Sequence, residues 1–81
     1  MRESYLEVTF RRGRAFAAYL YLPRNTGGKS YRTSRAEPGM IIDFDKGGKA
    51  IGVELTAPTQ VTAADINRVL SDIGAPPVAE D

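Results

Sequence analysis

With 81 residues, the chain has room for one small domain, and a domain of that size buries only about 60–70% of the surface its unfolded form exposes. It has no cysteine and no histidine, which excludes a disulfide framework, a thiolate metal site, the usual zinc ligand and the usual general base near neutral pH. Its 11 basic and 10 acidic residues nearly cancel, which argues against a dedicated nucleic-acid binder, and no apolar run reaches the ~20 residues that span a bilayer.

Met1 to Tyr5 leads into alternation and not into the apolar block of a signal peptide, so a cytoplasmic protein of bacterial type is expected. Leu6, Val8 and Phe10 alternate with Glu7, Thr9 and Arg11, the period of a half-buried strand. Arg11-Arg12-Gly13-Arg14 is a turn. Ala15 to Leu22 forms a second strand, with Phe16, Ala18, Leu20 and Leu22 on one face and Ala17, Tyr19 and Tyr21 on the other. Pro23 ends it, because proline has no N–H to give to a ladder. Pro23 to Ser30 is a loop, and Tyr31 to Glu37 has the length of a short edge strand. Pro38-Gly39 is a type II turn signal. It leads into a second hairpin, Met40 to Phe44 and Ala50 to Leu55 around an Asp/Gly turn.

The two hairpins align with each other. Leu6, Val8 and Phe10 match Met40, Ile42 and Phe44 at a constant offset. With one residue inserted at Gly47, Gly13 to Phe16 match Gly48 to Ile51, and Leu20 matches Leu55. Shared alternation and a glycine turn would produce the same match in any two hairpins, and that explanation stays open. The alignment nonetheless gives one consistent core face: Leu6, Val8, Phe10, Phe16, Ala18, Leu20, Met40, Ile42, Phe44, Ile51, Val53 and Leu55.

The C-terminal segment is suited to cover that face. Thr62-Ala63-Ala64-Asp65 is a near relative of the capping box, and Val61 and Ile66 have the spacing of a hydrophobic staple. Ile66, Val69, Leu70 and Ile73 make one apolar stripe. Gly74 ends the helix, and Pro76-Pro77 prevents its resumption. The expected fold is α+β: an antiparallel sheet of four or five strands with one C-terminal α-helix packed on one face. Residues 1–75 would form the single domain and residues 76–81 a flexible tail.

Ile42-Asp43-Phe44-Asp45 followed by Gly48-Lys49-Ala50-Ile51-Gly52-Val53-Glu54-Leu55 resembles the signature of a small bacterial family known as domain of unknown function 2283. The likeness covers Pro38 to Leu55 and extends to Ala18–Leu22. It departs at the first turn, where the family usually carries acidic residues and this chain has Arg11-Arg12-Gly13-Arg14. The resemblance implies a compact antiparallel β domain with a helix and no established activity.

Each candidate for chemistry has a plainer explanation. Gly27-Gly28-Lys29-Ser30 ends like a phosphate-binding loop, but Pro23 stands where the first glycine is required, and Tyr31-Arg32-Thr33 is poor helix material. Asp43, Asp45 and Glu54 could act as paired carboxylates or oxygen ligands. Asp45 is more simply a turn residue capping backbone N–H groups, and Asp43 and Glu54 are strand positions on the face away from the core. No catalytic residue, metal ligand or cofactor is therefore expected, and the chain is not read as an enzyme.

Charge is distributed unevenly. Residues 1–36 hold eight basic and two acidic residues, net +6, while residues 37–81 hold three basic and eight acidic residues, net −5. The leading expectation is an interaction module that forms a homodimer or binds a protein, through a face made of Ala17, Tyr19, Tyr21 and Ile41. The alternative is a small nucleic-acid binder using Arg11, Arg12 and Arg14 at the hairpin tip with Arg24, Lys29, Tyr31, Arg32 and Arg35 in the loop. A membrane partner is not expected.

Overall fold

The computed structural model of the protein describes residues 4–23 and 29–78. Arg24 and most of the glycine-containing loop lie outside the described residues. Five strands, β1 (Tyr5–Arg11), β2 (Arg14–Tyr21), β3 (Arg32–Ala36), β4 (Met40–Phe44) and β5 (Ala50–Leu55), precede a 3-10 turn (Pro58–Gln60) and a helix, α1 (Ala63–Asp72). The strands form one antiparallel sheet in the order β1-β2-β5-β4-β3. The architecture is the α+β sheet with a single C-terminal helix that the hydrophobic patterning predicts.

The alignment of the two hairpins holds at the level of register. In the first, Val8 faces Ala18, Thr9 faces Ala17 and Phe10 faces Ala15, leaving Phe16 as the extra residue of a bulge. In the second, Ile42 faces Val53, Asp43 faces Gly52 and Phe44 faces Ala50, leaving Ile51 as the extra residue. Phe16 and Ile51 are the residues that the sequence alignment equates. The seam between hairpins repeats the same symmetry, because Tyr19 faces Glu54 while Ala18 faces Leu55 and Leu20 faces Val53. Tyr19 and Glu54 are equivalent positions, so a local two-fold axis normal to the sheet passes between them.

The turns differ as their residues require. Arg12 and Gly13 both have positive φ, +54° and +77°, which a two-residue hairpin loop needs if its twist is to match that of its strands. The second hairpin has a three-residue loop with Gly48 at φ +89°. Its Asp45 carboxylate accepts the Lys49 N–H at 2.9 Å, the turn role read from the sequence. At the turn between β3 and β4, Gly39 takes φ +57° and the Glu37–Pro38 peptide is cis.

Helix α1 starts on the expected capping box. The Thr62 hydroxyl accepts the Asp65 N–H at 3.1 Å, and the Asp65 carboxylate accepts the Thr62 N–H at 3.0 Å. Hydrogen bonds from the Thr62 backbone and then its side chain, with some help from Arg68, hold the Asp65 carboxyl below its ordinary value. Gly74, at φ +73°, turns the chain out of the helix, and the Ala75 N–H returns to the Leu70 carbonyl. The chain beyond Pro76 is fastened at least to Val78, which exchanges hydrogen bonds of 2.7 and 3.1 Å with the Asn67 amide and rests against the core.

The core lies between α1 and the three middle strands: Ala18, Leu20 and Leu22, Met40 and Ile42, Val53 and Leu55, closed by Val69 and Leu70. Ile51 is also buried. One part of the expected core face is not buried. Leu6, Val8, Phe10 and Phe16 are exposed. Five strands place the outer strand axes about 19 Å apart, whereas a helix is about 10 Å across with its side chains. Lying over β2, β5 and β4, α1 cannot also cover β1.

Candidate functional site

On the face of the sheet away from α1, the aromatic and acidic residues are joined in one cluster. The Tyr19 ring crosses Gly52 to reach β4, where its hydroxyl donates to Asp43 Oδ2 at 2.6 Å. Asp43 Oδ1 accepts from the Ser30 hydroxyl at 3.3 Å. Tyr21 meets Tyr19 edge-on with ring centroids 4.7 Å apart, stacks on Tyr5 at 4.4 Å, and donates to Glu7 at 3.3 Å. Gly52 permits this arrangement, since any Cβ there would overlap the Tyr19 hydroxyl and ring. The candidate face Ala17, Tyr19, Tyr21 and Ile41 is thus half-buried, with its two tyrosine hydroxyls already donating to carboxylates. Glu54 is exposed opposite Tyr19, one diagonal from Asp43. Among the described residues, no group of three or more acidic side chains converges as a metal site would require.

The other face carries the surface that sequence reasoning assigned to the core. Leu6 is 50% exposed, Val8 36%, Phe10 65% and Phe16 54%. Leu6, Val8 and Phe10 lie beside the buried Leu20 and Ala18 and the half-buried Ala15, so this apolar strip continues the core outward along β1. β1 is also an outer strand of the sheet. The opposite outer strand, β3, exposes Arg32, Thr33, Ser34 and Arg35. Exposed polar and charged side chains of that kind are how a sheet edge is protected. β1 exposes Glu7, Thr9 and Arg11 as well, but it also carries the apolar strip between them.

Arg11, Arg12 and Arg14 gather at the tip of the first hairpin, all exposed, with the Arg11 guanidinium 5.3 Å from the Phe16 ring centroid. Lys29, Tyr31, Arg32 and Arg35 are exposed at the far side of the sheet. There Arg32 lies 4.6 Å from the Phe44 ring centroid, across the β3–β4 pair. The sheet order puts β1 at one edge and β3 at the other, so the two basic clusters do not form one surface.

Sequence reasoning missed the contact of Tyr19 with Gly52, the stack of Tyr5 on Tyr21 and the clasp between Asn67 and Val78. The first two depend on β2 pairing with β1 and β5, and a glycine between Ile51 and Val53 in the strand interior was the one available signal of close approach. Among the described residues, no helix is long and apolar enough to cross a membrane.

Neither the curated proteins nor the solved structures provide a match to this chain. A family model does match, over residues 17–57. That segment holds Tyr19, Asp43, Gly52 and Glu54, while β1 and α1 lie outside it. Covering just over half of the sequence, the match places the chain in the DUF2283 family of proteins of unknown function.

Proposed function

We propose that the domain is a non-catalytic interaction module that pairs with a second copy of itself through β1. The observation that carries this reading is the exposed apolar strip of Leu6, Val8 and Phe10 on an outer strand of the sheet. An antiparallel pair of β1 strands about a two-fold axis sets that strip side by side with its own likeness, as an isologous contact requires. Centred on Thr9, such a pair sets Val8 of each copy against Phe10 of the other, so the apolar positions match. The seam between β2 and β5 already joins two similar hairpins antiparallel about a local two-fold. Asp43, with its two oxygens accepting from Tyr19 and Ser30, is better explained as a structural carboxylate than as a general base.

Sedimentation equilibrium at micromolar concentration tests the proposal. A dimer is expected, with Val8→Glu converting it to monomer and Tyr19→Glu leaving it intact. A monomeric wild-type chain would overturn the reading, and a dimer split by Tyr19→Glu alone would move the contact to the tyrosine face.

A further inference from the structure

Between the tip of the first hairpin and the segment after β5 lies an open groove, lined among others by Arg11, Arg12, Arg14, Phe16, Thr56 and Thr59. Its lining includes three arginines and no carboxylate. The second hairpin serves as an internal control for this groove. Arg11 is the equivalent of Asp45, whose carboxylate is folded back onto the Lys49 N–H. Phe16 is the equivalent of Ile51, which is buried. On the same bulged framework, the first tip therefore has a cation where the second has an anion, and an exposed ring where the second has a buried aliphatic chain. Arg12 is held at φ +54°, a backbone conformation that asparagine or glycine would adopt at less cost.

We propose that this groove binds single-stranded nucleic acid, with Arg11, Arg12 and Arg14 on phosphates and a base stacked on Phe16. An acidic peptide would use the cations and ignore the ring. A nucleotide strand uses both, since every base has a face to stack and arginine beside an aromatic adds a cation–π contribution.

The test is fluorescence anisotropy of a labelled twelve-nucleotide oligothymidylate with the full chain. Saturable binding is expected at 50 mM salt. With three phosphates contacted, log K should fall against log salt with a slope of about −2, so that 200 mM salt weakens binding about 20-fold. Arg12→Glu and Arg14→Glu should each weaken it about tenfold or more, and the milder Arg14→Gln and Phe16→Ala should weaken it too. All these positions are exposed, and matching melting curves identify variants that remain folded. Absence of binding at 50 mM salt, binding indifferent to Phe16→Ala and to both charge reversals, or equal competition by polyglutamate would each overturn the proposal.

Discussion

A methyl group added at Gly52 would meet the Tyr19 hydroxyl and ring, so Gly52→Ala must displace that ring and break its hydrogen bond to Asp43. Overpacking of this kind costs about 1–3 kcal/mol. In a Tyr19→Ala background the same substitution should cost little, because the obstructing ring is gone. Urea unfolding of the two single variants and the double variant checks this as a thermodynamic cycle. An equal penalty in both backgrounds would show that the ring is not the reason for the glycine. At this scale the sequence is legible where the relevant partner lies a few residues away. Asp45 capping Lys49, Thr62 capping Asp65 and Gly74 leaving the helix could each be read from spacing alone. Tyr19 and Gly52 are far apart in the chain, and only the pairing of β2 with β5 makes them neighbours.

Helix α1 depends on one side of its surface. Val69 and Leu70 are buried, Ile66 and Ile73 are half-buried, and Ser71 is exposed. Leu70→Ala should destabilise by about 2–5 kcal/mol, and Ser71→Ala by less than about 0.5 kcal/mol. Equal melting temperatures for the two would contradict the placement of the stripe. The helix start should also respond to pH. The Asp65 carboxyl has its pKa below the ordinary 3.8 in the folded chain. The native state therefore favours the ionised form, and the resulting stability is present above the unfolded pKa. It is lost as pH falls through the lower folded value. The stability gap between wild type and Asp65→Asn should accordingly be full near neutral pH and narrow steadily below pH 3.8, as read by urea midpoints across that range. Alternation reveals which side chains share a face, and that much of β1 was legible. It does not reveal whether anything lies over the face. The width of one helix against five strands decides that question, and it leaves Leu6, Val8 and Phe10 uncovered.

For the whole molecule, the two edges of the sheet present unlike chemistry to solvent. Both expose polar and charged residues, but β1 adds the apolar strip of Leu6, Val8 and Phe10. If the native state pairs through β1, stability becomes linked to concentration by mass action. The melting temperature of the wild-type chain should then rise with protein concentration, while that of Val8→Glu should not. A wild-type melting temperature independent of concentration across the micromolar range would count against the pairing. The two hairpins and their shared alternation follow from patterns visible in the chain, but the pairing of β2 with β5, and of an edge with another molecule, leaves no such pattern.

The internal two-fold between the hairpins has a consequence for how the chain can vary. The chain has two similar hairpin frames, and the helix lies over the second together with the inner strand of the first. The demand to stay apolar and well packed therefore falls mainly on one copy, from Met40 to Leu55, and on the shared seam. The outer strand and tip of the other copy are relieved of that demand. They can exchange acid for arginine, or aliphatic for exposed aromatic, without opening the core. The fold thus separates its duties, one hairpin carrying most of the core and the other presenting its outer strand and tip to solvent.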